Sequence, residues 1–382
     1  MEYRECDETF TINVSTDAHV SSMEYNMIDQ TVITVLLPFI LLFGIISNVA
    51  FLFVIIRVPW MRTITNTYLA SIAVADIVFL LVGVGEKVLR YRVSPVVRDQ
   101  TILGSSTGCV LVYFIIDVTY FSCIFLVTFV SYERYLAVCY PIKYRIALRH
   151  KSRPIRNVII AWMAGVICSC ITIPGRSKYV TVCVLWPENE TYCKFPKEVG
   201  LCTATSSAAA NIVNGIQTLP FFISLLINTI LYIRIVRELN PKRNPVQTSA
   251  IFRKNIRNQV AIMLVITGIV FFLCLAPFET LSVLQMLSGY VDGFAYNSDT
   301  IPGLIQISRV LMYINSATNS VIYVIASTRY RKAFRQVFNI SCFYFTKFDT
   351  PRHISKFGVQ NKAFDIWTVG NIQSTVAQDK IQ

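Results

Sequence analysis

The chain has 382 residues, of which 54% are hydrophobic and only 15% charged, a balance that excludes an ordinary soluble domain and calls for a lipid bilayer. Its net charge of +13 at neutral pH does not mark a nucleic-acid binder, because the basic residues gather in alternate loops between apolar runs.

Residues 1–30 are polar and acidic, with no basic region ahead of the first apolar run, so they read as an attached extracellular segment and not a cleaved signal peptide. Lacking apolar periodicity, they are expected to be mobile. Seven apolar stretches follow, near 32–56, 66–85, 106–132, 157–176, 208–233, 258–278 and 300–328. Each is close to the roughly 20 residues that cross about 30 Å of hydrocarbon, and together they make residues 31–327 a membrane domain.

Arg57 and Arg62 follow the first span, Lys143 to Arg156 the third, Arg234 to Arg257 the fifth, and Arg329 to Arg335 the seventh. The excess of Lys and Arg on cytoplasmic sides puts the N-terminus outside. Lys87, Arg90, Arg92 and Arg98 fall outside against this pattern. The sequons at Asn13 and Asn189 are on the outer side and are candidate glycosylation sites, whereas Asn339 falls inside.

Between spans four and five, the β-prone runs Tyr179–Trp186 and Thr191–Phe195 flank a polar turn and predict a hairpin. Of eleven cysteines, Cys6, Cys109, Cys183, Cys193 and Cys202 lie on the oxidising outer side, where bridges persist. Cys123, Cys168, Cys170 and Cys274 lie within spans and read as small buried hydrophobes. From 328 to 340, apolar residues recur at helical spacing among Arg and Lys, the pattern of an amphipathic helix on the membrane surface. Cys342 follows as a palmitoylation site or a free thiol, and 341–382 is a cytoplasmic tail. The fold class is therefore an all-α membrane protein, a seven-helix bundle with an amphipathic eighth helix and a β-hairpin in the second extracellular loop.

Ionisable groups inside a membrane are costly and mark function. Asp76 is a carboxylate near mid-bilayer that needs donors, which Asn48, Asn315, Ser316 and Asn319 can supply along with water or a cation. Glu133 and Arg134 sit together at the inner end of span three.

In order along the chain stand Gly44–Val49, Leu69–Asp76, Glu133-Arg134-Tyr135, Trp162, Pro220, Phe271 with Pro277, and Asn315–Tyr323. This series resembles the rhodopsin-like G-protein-coupled receptors over about residues 30–340. The resemblance implies that Glu133 holds Arg134 in an inactive ion pair whose release frees the guanidinium for a heterotrimeric G protein, with Tyr135 completing the motif. It further implies a sodium ion or a plain hydrogen-bond network at Asp76. Pro220 and Pro277 would let helices bend, with Ile124 and Phe271 packed between them, and Asn319 and Tyr323 would take part in activation. Three positions depart from the family: Leu275 replaces a tryptophan, Ser320 a proline and Asn228 a tyrosine. The resemblance also pairs Cys109 with Cys193, whose distance before Pro220 suits the family; Cys183 is the second choice.

For the ligand, Ile116 stands where amine receptors of this family carry aspartate, and Tyr313 where opsins carry lysine. The outer half keeps Glu86, Asp117 and Glu279 facing Arg309, a set expected to accept a cationic group together with a carbonyl or terminal amide. The sequence around Arg309, and that from Met61 to Leu69, is similar to the thyrotropin-releasing hormone and neuromedin U receptor group. That likeness implies an extracellular neuropeptide ligand, amidated or cationic, with Glu86, Asp117, Glu279, Arg309 and Tyr313 at its site, and signalling of the Gq type. Partners would then be the peptide, the G protein, membrane lipids and, through Ser355, Thr368, Ser374 and Thr375, arrestin. The alternative within the family is a receptor for a lipid or another non-peptide ligand. A transporter or channel would need a polar through-path or inverted repeats, which the sequence lacks. No catalytic set is present, so no enzyme is expected.

Overall fold

The computed structural model describes residues 11–14, 20–21, 23–147, 152–187, 192–239, 251–288 and 301–338, with backbone alone at 147, 251–257 and 301–302. Within these residues lie seven long helices: α1 (Met27–Arg57), α2 (Ile64–Val93), α3 (Ser106–Cys139), α4 (Arg153–Thr172), α5 (Ser207–Leu239), α6 (Ile251–Ser288) and α7 (Ile301–Ala326). Six are long and apolar enough to cross a membrane alone, and α7 qualifies together with α8 (Thr328–Phe338), which turns 100° away from it. Several helices outrun the apolar stretches that announce them. The last two turns of α2 hold Glu86, Arg90 and Arg92, because a helix continues past the hydrocarbon wherever its side chains find partners or water.

Caps fix the helix starts. Thr63 and Ser105 accept from the amides of Asn66 and Gly108, at 3.4 and 3.2 Å. Pro38 lacks an amide and crowds the carbonyl four residues back, and just before it α1 widens to π geometry over Val32–Leu36. Around the bundle, α3 is central and touches α2, α4, α5 and α6, while α1 and α7 meet to close the ring.

The packing is inside out relative to a soluble protein. On α1, Phe39, Leu42, Ile46, Val49, Phe53 and Ile56 face outward, whereas Ile40, Gly44, Asn48, Phe51 and Val54 are buried. Polar side chains need partners that lipid cannot give, so they turn inward. Gly44 permits the approach of neighbouring helices, since a Cβ there would lie 2.4 Å from Leu80 Cδ1 and 3.0 Å from Ala317 Cβ.

At the outer end, β1 (Thr11–Asn13) pairs parallel with β2 (Lys178–Leu185), which pairs antiparallel with β3 (Glu198–Thr203). The hairpin is present, but its second strand is Glu198–Thr203 and not the expected Thr191–Phe195, of which the described residues 192–195 turn ahead of Pro196. That register decides the disulfide. Cys202 is in β3 opposite Tyr179, whose amide is tied to the start of α3 by Ser106 Oγ, and Cys109–Cys202 bridges at a Cα separation of 5.8 Å. The expected Cys109–Cys193 pairing is thus incorrect: Cys193 is exposed on the connection between the strands. Cys183 also forms a disulfide.

The N-terminal segment also departs from expectation. Val14, Val20, Val96, Val184 and Val199 form a small core, and Val97 N donates to Met23 O at 2.8 Å. Five valines spaced along distant segments supply apolar contact that no local periodicity reveals. The outward cations find a structural explanation here. Arg90 is buried, pairs with Glu86 at 3.0 Å, and donates to the carbonyls of Asp99, at 2.9 Å, and Val97, tying the first extracellular loop to α2.

At the inner end, α8 lies against α1. Tyr330 and Ala333 are buried, and the Tyr330 ring stacks 6.0 Å from Phe51. Tyr330 donates to Asn66 Oδ1, and burial pushes its phenol up to about 12, which keeps it a neutral donor. Cys342, Asn189, Cys6 and the tail serines and threonines lie outside the described residues. Asn13 is exposed on β1.

Candidate functional site

At the outer end of the bundle lies a partly open cleft. Its wall is assembled from Glu86 and Lys87 on α2, Tyr113, Asp117 and Tyr120 on α3, Arg176 just beyond α4, Gln217 on α5, Phe278 on α6, and Arg309 and Tyr313 on α7. Of the five residues that the sequence nominates for the ligand, four line this cleft: Glu86, Asp117, Arg309 and Tyr313. Glu279 does not. It is fully buried and accepts a hydrogen bond from Tyr120, which does line the cleft.

The expected balance of three acids against one arginine also changes. Glu86 binds Lys87 and Arg90, each at 3.0 Å, so its charge is already matched. Asp117 is rotated toward α4, where Thr172 Oγ1 donates to it at 2.7 Å. Arg176, which sequence reasoning passed over, stacks 4.6 Å from the Tyr113 ring. Arg309 has no ion pair among the described residues. Tyr313 donates to Gly83 O at 3.3 Å and packs 5.5 Å from Phe79, which fixes the floor. Arg176 left a faint trace in the sequence as one more cation on the outer side, directly after Pro174-Gly175.

Beneath the cleft, Ile124, Phe221, Phe271, Phe272 and Leu275 fill the middle of the bundle, and all are buried. Pro220 and Pro277 sit inside α5 and α6, each removing a backbone donor from the helix. Leu275 is an ordinary member of this core.

Below this layer Asp76 accepts from Asn319 Nδ2 at 2.9 Å. Asn48 spends its amide on the Gly44 and Ser316 carbonyls at 2.9 and 3.0 Å, and Ser320 donates to Asn48 Oδ1 at 2.7 Å. Ser320 thus joins α7 to α1 where the family would have a proline. Asn315 Oδ1 and Asn319 Oδ1 are buried without a donor. A carboxylate with two amide oxygens left over is the hard-oxygen chemistry that a small cation accepts.

At the inner end the expected partner of Glu133 is replaced. Its carboxylate meets Arg153 Nη2 at 3.2 Å, the first residue of α4, and not Arg134. Adjacent residues on a helix point about 100° apart, so Glu133 turns to α4 while Arg134 points elsewhere. Arg134 Nε is buried without a hydrogen-bond partner. Tyr135 accepts from Arg234 at 3.3 Å, Ser131 donates to Tyr232 at 2.9 Å, and Tyr323 is buried 5.2 Å from Phe51. A Cβ on Gly268 would fall 1.8 Å from the Tyr232 hydroxyl, so α6 closes on α5 only through that glycine.

This arrangement of outer cleft, proline-containing helices, buried polar centre and inner arginine has relatives. A family model described as 7 transmembrane receptor (rhodopsin family) matches residues 47–323. The chain is 26% identical over 328 residues to neuromedin-U receptor 2 of Rattus norvegicus, covering 84% of this chain and 78% of that one. It is 28% identical over 336 residues to galanin receptor 2a of Danio rerio, covering 86% and 83%. With the thyrotropin-releasing hormone receptor of Gallus gallus it shares 26% over 337 residues, covering 84% and 82%.

Proposed function

The chain belongs to the rhodopsin family of seven-transmembrane receptors, and from that premise we propose that it is a plasma-membrane receptor for an extracellular neuropeptide, acting through a heterotrimeric G protein of the Gq type. The relatives named above, whose names are those of neuromedin-U, galanin and thyrotropin-releasing hormone receptors, support a peptide ligand. The observation that carries the reading is the cleft itself: it lies at the outer end of the bundle and offers charges of both signs within an apolar wall. Arg309 donates to a carbonyl, amide or carboxylate oxygen of the peptide, and Asp117 accepts its donor groups. Glu86 and Tyr313 shape the wall, and Glu279 acts through Tyr120.

Binding shifts the bundle between two packings, with Pro220 and Pro277 as the bending points and Phe271 transmitting the shift. Arg134, Tyr135, Asn319 and Tyr323 complete the inner surface that meets the G protein. Asp76 with the free amide oxygens of Asn315 and Asn319 would hold a sodium ion, whose charge would favour the resting packing. Glycans at Asn13 and Asn189, a palmitoyl group on Cys342 among the membrane lipids, and arrestin on the tail belong to the same proposal.

The test is calcium release in cells that express the chain with a promiscuous G protein, challenged with a neuropeptide library. A potent response is expected, and Arg134→Ala should abolish it while peptide binding persists. Current or ion flux that survives removal of the G protein would overturn the reading.

A further inference from the structure

We propose that the outer cleft is an anion-binding site, and that the ligand it takes carries a carboxylate held between Arg176 and Arg309. This rests on the peptide reading above and specifies it further. Three cations, Lys87, Arg176 and Arg309, share the wall with two carboxylates, Glu86 and Asp117. One of those carboxylates is already saturated. Glu86 holds Lys87 and the buried Arg90, each at 3.0 Å, so both cations draw on a single acid.

What remains is two guanidinium groups against Asp117. The Asp117 carboxylate is set back toward α4 and accepts from Thr172 at 2.7 Å, and its other neighbour of opposite charge is Arg176. Arg309 makes no ion pair among the described residues, and the aromatic face beneath Arg176 is a weak partner. Glu279 is not part of the wall: it accepts from Tyr120, which is. A lysine in such surroundings can shed its proton, but arginine stays charged in every protein environment. Among the described residues the positive surplus is therefore permanent, and a charge held partly away from water without a partner is costly. A ligand carboxylate matches it, and the planar fork of each guanidinium suits a carboxylate better than a single amide oxygen.

The experiment is affinity selection on the full-length receptor in lipid nanodiscs. The mixture contains synthetic peptides, each present as a free acid and as its C-terminal amide, with acidic and basic side-chain versions, together with fatty acids. Free-acid or acidic peptides should be retained about tenfold or more over their amide or basic twins. Arg309→Gln and Arg176→Gln, checked for surface expression, should each erase that preference. Retention of fatty acids that depends on Arg309 would keep the anion site and overturn the peptide reading. Preferential retention of amidated or basic peptides, or a preference for carboxylates untouched by both variants, would overturn the anion site and leave the peptide reading standing. Retention of nothing would overturn both.

Discussion

Glu133 is a single residue whose partner decides how the inner end is held. Its ion pair with Arg153 spans α3 and α4, so it restrains a helix pair and not merely a neighbour on the same helix. Breaking a buried pair by removing one partner costs about 3–5 kcal/mol, but Arg153 keeps 17% of its side chain exposed, and screening reduces the effect to about 1 kcal/mol. A loss of that size shifts a two-state equilibrium about fivefold. Arg153→Gln should therefore raise ligand-independent G-protein activation by about that factor, and exchanging the two charges between positions 133 and 153 should restore the low baseline. A silent Arg153→Gln with normal surface expression would refute this role. Such a pairing is not legible in a sequence, because the two residues are twenty positions apart and on different helices. Asp117, Arg309 and Asp76 were legible for the opposite reason: a charge inside an apolar span is conspicuous without knowing what it touches.

Elements separate in the same way. The helices could be read because a bilayer demands length and internal hydrogen bonding, and their ends drifted only where polar turns extend past the hydrocarbon. The hairpin's second strand could not, since Glu198–Thr203 is short, contains Gly200 and follows a proline, while Thr191–Phe195 has the stronger strand composition and yet residues 192–195 form turns. Choosing the wrong strand carried the wrong cysteine with it. The correction makes a direct prediction. Cys202→Ser should remove a bridge closing a separation of 93 residues, cost about 2–5 kcal/mol, and lower surface expression and ligand response together. Cys193→Ser should retain ligand response, and flow cytometry with a dose–response curve for both variants distinguishes the two.

For the whole molecule, the organising fact is a polar centre inside an apolar exterior. Asp76, Asn48, Asn315, Asn319 and Ser320 join α1, α2 and α7, so whatever satisfies their remaining oxygens favours one packing of three helices. Sodium should therefore lower agonist affinity in the wild type, and Asp76→Asn should abolish that dependence; agonist binding measured in sodium and in a large organic cation checks it. The parallel strand at the outer end bears on how the molecule is made. Residues 11–13 emerge before any span is synthesised, yet their partners at 183–185 come only after four spans. On the exported side, that strand must wait unpaired while half the bundle inserts. Completion of the outer roof is thus a late event in biogenesis, and it reports that the first four helices have been threaded in the right direction.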